Sequence, residues 1–501
     1  MKQTIRIPSL YADLSASMEA LRQDHSALDW SRDIVLRALK DGNALYGINT
    51  GFGVLANKRI DDEQLAALQT NLLLSHACGV GDPIPPKITR LMLRLKIHAL
   101  GLGQSGISQT TFKQLLRFEQ IGLTPRVPSK GSVGASGDLA PLAHMCLPLI
   151  GRGAVWNETE SGTLDAEAAL QLAGMEPIQL QAKDGLALIN GTQLMTAYGA
   201  FVLERALVLQ KDADILAAMS LEALQGSATP FDERVHLIRP HKGQLAVAGN
   251  IRKLLLRSEI MDSHRDCGKV QDSYSLRCVP QVHGASRDAL AYAAHTIEVE
   301  LNSVTDNPLV FENGDIISAG NFHGQPLALA LDFAAIALAE LASISERRTY
   351  LLLEGHDGLP RLLMKDTGIN SGFMIPQYTA AALVSENKIL CHPASVDSIP
   401  TSLGQEDHVS MGSISALKLL SVLSNVEYVL AVEFLTAAQA LDFRAPLKPG
   451  RGVQIAHQML RERIGHAHKD YEVGNDLEIC AGILRRGKLA SIVEADIGSL
   501  F

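Results

Sequence analysis

The segment GSVGASGDLAPLAH, Gly131 to His144, sets a serine between two residues of little bulk, Ala135-Ser136-Gly137. A glycine nitrogen has no Cβ beside it, and glycine reaches backbone angles closed to other residues. A tight turn can therefore press the Gly137 nitrogen against the carbonyl carbon of Ala135. Attack there with loss of water would close a five-membered imidazolone. Loss of the Ser136 hydroxyl as a second water would leave an exocyclic methylidene, which is an electrophile. Most small-residue loops are only turns, so the residues alone leave both outcomes open.

Other stretches with a chemical look fail on context. GLGQSG, Gly101 to Gly106, has the glycine spacing of a dinucleotide loop, but the preceding KITRLMLRLKIHAL has helical rather than strand spacing. It reads as a glycine-rich helix stop. Ser136 lacks the second glycine of a nucleophile elbow, because position 138 is Asp138. His466 and His468, like His236 and His241, match no zinc spacing, so no metal site and no binding site for an external cofactor is expected.

GSVGASGDLAPLAHM resembles the prosthetic-group signature of the aromatic amino acid ammonia-lyases, and further blocks follow in the order that family has them. They are YGINTGFGVLANKRI from Tyr46, LLLSHACGVG from Leu72, GLALINGTQ from Gly185, QDSYSLRCVPQ from Gln271, DNPLV from Asp306, GNFHGQP from Gly320 and QEDHVSMG from Gln405. The resemblance implies that Ala135-Ser136-Gly137 becomes 4-methylideneimidazole-5-one (MIO) with no added cofactor. It also implies elimination of ammonia from an α-amino acid to give a trans-unsaturated acid. That reaction needs a base for a weakly acidic β hydrogen and help for a poor leaving group. Capture of the substrate amine by the electrophile is favoured over attack on the ring.

The same resemblance assigns roles. Tyr46 takes the β proton, on a loop whose glycines at 47, 51 and 53 suit closure over substrate; Glu406 is the other candidate base. Arg277 grips the substrate carboxylate with a planar fork. Asn190 lies beside the MIO oxygen and carboxylate, and its position also suits a cap for the helix that follows. Gln271 and Tyr274 orient MIO or substrate, and Phe322 forms an aromatic wall. Asp138 either polarises cyclisation or satisfies nearby backbone amides.

Ser75-His76 stands at the ring-selectivity position in the pattern of the histidine-acting members. In QEDHVSMG, Gln405 precedes Glu406, a carboxylate where tyrosine- and phenylalanine-acting members carry glutamine. His76 and Glu406 can hydrogen-bond an imidazole from opposite sides, whereas a phenyl ring would leave the carboxylate unpartnered. L-Histidine, giving trans-urocanate and ammonia, is the expected substrate; a tyrosine or phenylalanine lyase or an aminomutase is the alternative. Ser273, where proline is common, and Gln325, where an acid is common, depart from the pattern. A non-catalytic helical scaffold with an intact serine is the rival of another class.

These residues need a frame. From about Leu186 the sequence is dominated by long helix-forming stretches, 193–224, 281–303, 326–353 and 413–442, with apolar residues on nearly every face of the last. A mainly α fold is expected: a central bundle of long helices over 186–501, and a smaller mixed part over 1–185 carrying the prosthetic-group loop and the Tyr46 loop. Short strands are expected in NALYGINT, GAVWN and PIQLQA. Helices apolar all round must be enclosed, which predicts a homo-oligomer; the resemblance makes it a homotetramer with shared active sites.

The whole chain of 501 residues carries a net charge of −9 without a dense basic run, which points away from nucleic acid and membrane surfaces and towards a small polar substrate. Six scattered cysteines and the polar start MKQTIRIPSL suggest a cytoplasmic protein. Asp332 and Glu340 interrupt the most apolar run, which reads as a buried helix.

Overall fold

The computed structural model describes residues 4–41, 45, 47–50, 60–157, 159–265 and 268–501. Tyr46 lies outside the described residues, as do Gly51 and Gly53 of the same loop.

Four long helices carry the chain: Gln193–Ala223, Val279–Leu301, Gln325–Leu353 and Gly412–Asp442. Each lies within two residues of its sequence-derived span. Pro280 and Pro326 sit at the second helical position, where the missing N–H breaks no helical bond. Gly412–Asp442 spans about 46 Å at 1.5 Å per residue. Val429, Leu430, Ala431 and Val432 of this helix are all fully buried. Four consecutive residues point in four directions around a helix, so no face at that level is open to solvent. Gln325–Leu353 and Gly412–Asp442 are long and apolar enough to cross a membrane, but 67% and 72% of their most apolar windows are buried inside the protein. Asp332, within the first of them, accepts the Ser395 amide at 2.8 Å.

The chain forms two compact units. The first comprises residues 1–201, 294–332 and 393–417; the second comprises 202–293, 333–392 and 418–501. The breaks after 201, 293, 332 and 417 fall inside the four long helices. Compactness thus divides the chain in an interleaved way, whereas the expected boundary at 185 followed a change in sequence character.

In the first unit, β-structure among the described residues is confined to short antiparallel pairs and isolated bridges. Val80–Pro83 pairs with Pro128–Lys130, Ala154–Trp156 with Thr163–Asp165, and Leu309–Val310 with Ile316–Ile317. GAVWN is therefore a strand, but PIQLQA is not. Its Gln181 amide donates to the Asp184 carboxylate at 2.9 Å, turning the segment into the lead of the Asp184–Ile189 helix. The described part of NALYGINT is a turn at 47–49. Gly103 and Gly106 have φ of +95° and +68° directly after the Pro86–Gly101 helix, as a helix stop requires.

The second unit is held by buried charge as well as apolar packing. Arg348 and Glu433 are fully buried and paired through Nη2–Oε2 at 2.7 Å, and Ser220 Oγ donates to Glu433 at 2.7 Å. Asp214 accepts from His283 Nδ1 at 2.7 Å and Arg287 Nη2 at 2.9 Å.

Candidate active site

The loop before the Leu139–Cys146 helix is wound through left-handed backbone: φ is +77° at Gly134, +52° at Ser136 and +80° at Gly137. Serine in that region costs about 1–2 kcal/mol, so the surrounding contacts must impose it. They come chiefly from residue 191. Gly137 bridges Gly191, the Asp138 amide donates to the Gly191 carbonyl at 2.7 Å, and the Gly191 amide donates to the Ser136 carbonyl at 3.4 Å. A Cβ on Gly137 would stand 2.0 Å from the Gly191 oxygen, so only glycine fits. On the other side the Met411 amide donates to the Val133 carbonyl at 3.0 Å, and Ala135 packs with Val409 and Met411.

Asp138 is fully buried. Its Oδ2 accepts the amides of Leu194 and Met195 at 2.9 and 3.1 Å, and its Oδ1 accepts Ser413 Oγ at 3.0 Å. The first-turn amides of Gln193–Ala223 thus find their acceptor in Asp138. Burial nevertheless dominates and lifts this carboxyl to about 7, against the three hydrogen bonds. Asn190, expected to cap that helix, does not. It ends the preceding Asp184–Ile189 helix instead, with its amide donating to Leu186 O. Its Nδ2 donates to the Asn307 carbonyl at 2.9 Å, and its Oδ1 has no hydrogen-bond partner among the described residues.

A cavity of about 290 Å³ opens beside the loop, lined by Ser75, His76, Cys78, Ala135, Thr401 and Glu406, among others. It lies at the small end of ligand cavities. Glu406 and Thr401 exchange backbone hydrogen bonds, and Thr401 Oγ1 donates to Glu406 Oε2 at 2.7 Å. The other oxygen, Oε1, lies 3.5 Å from Ser136 Oγ. His76 closes the Leu65–His76 helix with Nδ1 2.9 Å from the Leu72 carbonyl. A carbonyl only accepts, so Nδ1 carries the proton and Nε2 is left as an acceptor. Burial lowers the His76 pKa, opposed by the Leu72 carbonyl and the Glu406 charge. The cavity therefore presents a neutral imidazole acceptor and a carboxylate, a pair suited to a ring bearing two N–H donors.

Residues 9–462 match the family model for the aromatic amino acid lyases. The chain belongs to the aromatic amino acid lyase family. A histidine ammonia-lyase of Sorangium cellulosum is 52% identical over 476 residues, covering 93% of this chain and 92% of that protein. The crystal structure of a histidine ammonia-lyase from Trypanosoma cruzi superposes with a TM-score of 0.87 at 41% identity, covering 94% of this chain and 89% of that one. A tyrosine aminomutase from Streptomyces globisporus superposes at 0.89 with 35% identity, covering 99% and 97%. The fold is accordingly that of these lyases and aminomutases.

For this aromatic amino acid lyase, the first unit brings together Ala135, Ser136, Gly137, Ser75, His76 and Glu406. Asn190 is joined to the same loop through its neighbour Gly191. Gln405 is exposed on the turn before Glu406, and Phe322 is half-buried in the 321–322 turn; neither lines the cavity. Gln271, Tyr274 and Arg277 belong to the second unit. Gln271 and Arg277 line a cavity there of about 910 Å³. The Arg277 guanidinium lies 4.5 Å from the centre of the Tyr274 ring, a ring that is 70% exposed.

Three supports escaped sequence reasoning. Thr401 orients Glu406. Gln69 Oε1 accepts the amides of Gly185 and Leu186 at 2.8 and 3.4 Å, tying the His76 helix to the Asn190 helix. Lys96, 2% exposed, donates from Nζ to the Asn190 carbonyl at 2.6 Å. Only Lys96 left a sequence signal: a lysine amid MLRLKIHAL, on a stripe otherwise apolar.

Proposed function

We propose that this lyase deaminates L-histidine to trans-urocanate and ammonia, using MIO formed from its own Ala135-Ser136-Gly137. What supports the substrate is that His76, whose pKa burial lowers, and Glu406 line one cavity together with Ala135. An imidazole ring donates to His76 Nε2 and to Glu406 Oε1, and the carboxylate favours its protonated form. A phenol or phenyl ring offers one donor or none, leaving Glu406 partly desolvated without compensation.

The loop fits the prosthetic group on its own evidence. Ser136 and Gly137 are already held in left-handed backbone, and the contact with Gly191 admits no side chain at 137. MIO supplies an electrophile that makes the substrate amine a better leaving group. The other duties fall to side chains: Glu406 and His76 hold the imidazole, Arg277 the carboxylate, and Tyr46 receives the β proton. Asn190, Gln271, Tyr274 and Phe322 orient the reactants.

The second-unit residues are proposed to serve sites completed by other copies in a homotetramer. Leu329, Phe333 and Ile336, one stripe of the Gln325–Leu353 helix, are 49%, 45% and 40% exposed, which supports burial by association. The likeness to tyrosine aminomutases supports a second reading, return of ammonia to the β carbon. The test is product analysis with histidine, tyrosine and phenylalanine, alongside peptide mass spectrometry of residues 131–144. Urocanate from histidine and a tripeptide lighter by two waters support the proposal; β-amino acid products or an intact serine overturn it.

A further inference from the structure

Lys96 is a buried ammonium whose hydrogen bond goes to a neutral backbone oxygen, that of Asn190 at 2.6 Å. A second buried lysine nearby, Lys183, pairs instead with the Asp306 carboxylate at 2.7 Å. Burying a cation against a neutral carbonyl rather than a carboxylate leaves much of its desolvation cost uncompensated. Burial lowers the Lys96 pKa to about 8, with Asp306 as the main opposing charge, so it is largely protonated near neutral pH.

The oxygen it holds belongs to the same peptide unit as the Gly191 N–H, which donates to the Ser136 carbonyl at 3.4 Å. The Ser136 carbonyl in turn shares its peptide unit with the Gly137 nitrogen. We propose that Lys96 is a positioning residue for formation of the prosthetic group, polarising the Gly137 amide through the Asn190–Gly191 peptide and holding that peptide against the loop. An ammonium on the Asn190 oxygen makes the Gly191 N–H a stronger donor, because hydrogen bonds in series polarise one another. Electron density drawn towards the Ser136 oxygen makes the Gly137 N–H more acidic, and this nitrogen must form the new bond.

The chemistry balances without a further reactant. The Gly137 nitrogen bonds to the Ala135 carbonyl carbon. The Ala135 oxygen leaves as water with the protons of the Gly137 and Ser136 nitrogens, placing a double bond between the Ser136 nitrogen and that carbon. The Ser136 hydroxyl then leaves as a second water with the Ser136 α proton. No oxidant is involved, and Lys96 returns to its starting state.

This inference rests on the reading that Ala135-Ser136-Gly137 becomes MIO, and its test separates the two. Wild type, Lys96→Met, Lys96→Gln and, as a control, Lys183→Met are synthesised in a cell-free mixture. The assembled fraction is isolated at intervals, and the peptide containing residues 131–144 is weighed. Thermal unfolding and circular dichroism are recorded on the same fractions. Wild type should lose two waters. Lys96→Met should do so about tenfold more slowly, corresponding to about 1.4 kcal/mol on the barrier, with Lys96→Gln between them. Lys183→Met should close its ring at a rate near wild type even where its stability falls. Equal rates for Lys96→Met and wild type, equal slowing by Lys183→Met, or failure of both Lys96 variants to assemble would each overturn the proposal. An intact serine in wild type would instead overturn the MIO reading.

Discussion

Replacing Glu406 by glutamine tests the assignment of substrate with little change of shape. Thr401 Oγ1 holds Oε2 at 2.7 Å, so the glutamine carbonyl can keep that bond, and the change is concentrated at Oε1, which lies 3.5 Å from Ser136 Oγ. A hydrogen bond to a charged group contributes about 1.5–3 kcal/mol, against about 1 for a neutral one. At an effective dielectric near 20, a unit charge about 4 Å from an imidazolium adds up to ~4 kcal/mol before screening. A loss of about 1.5–3 kcal/mol is therefore expected, or roughly 10- to 150-fold in kcat/KM for histidine. Most of it should appear in KM if the imidazole is held equally in ground and transition states. Urocanate absorbance gives the rates, and peptide mass spectrometry shows whether the variant still carries the dehydrated tripeptide. An unchanged kcat/KM in a variant with the ring formed would refute the pairing of Glu406 with imidazole.

Ser136→Ala should retain assembly and show no turnover, with peptide 131–144 lacking the loss of two waters; residual deamination at wild-type rate would count against the electrophile. Asp138 gives a pH signature. Its pKa is raised from 3.8 to about 7, so its contribution to stability is greatest below pH 4 and falls as pH rises towards 7. Asp138→Asn should accordingly flatten the decline between pH 4 and 7, by up to ~1.4 kcal/mol per pH unit, as read from urea midpoints at pH 5 and 7 relative to wild type. Arg348→Met strands the fully buried Glu433 and should cost about 3–5 kcal/mol. The double change Arg348→Met/Glu433→Leu should recover much of that in the same unfolding assay, and no recovery would argue against a stranded charge.

The long helices were legible because their signal is local: unbroken runs of helix formers bounded by Gly, Pro and Asn. The strand expected at PIQLQA failed because Asp184, just beyond it, captures the Gln181 amide, a side-chain contact that periodicity does not encode. Asn190 was read as a cap from its place in the chain. The helix amides are taken by Asp138, 56 residues before the first of them, Leu194, and only the folded chain brings the two together. His76 and Glu406 could be singled out by residue type through the family resemblance. Their lining of one cavity is a tertiary fact, as is the burial of Lys96. The interleaved units were invisible to composition, since a helix that serves two units reads as one uniform apolar run.

The 2.0 Å approach between a Cβ at 137 and the Gly191 carbonyl also bears on timing. The bend that would bring nitrogen to carbonyl depends on a partner 54 positions later, which a ribosome delivers only after the serine has long been exposed. On the proposed chemistry, a nascent or misfolded polypeptide stays inert towards cellular thiols and amines. The reactive warhead is armed only in molecules that have already passed the test of folding.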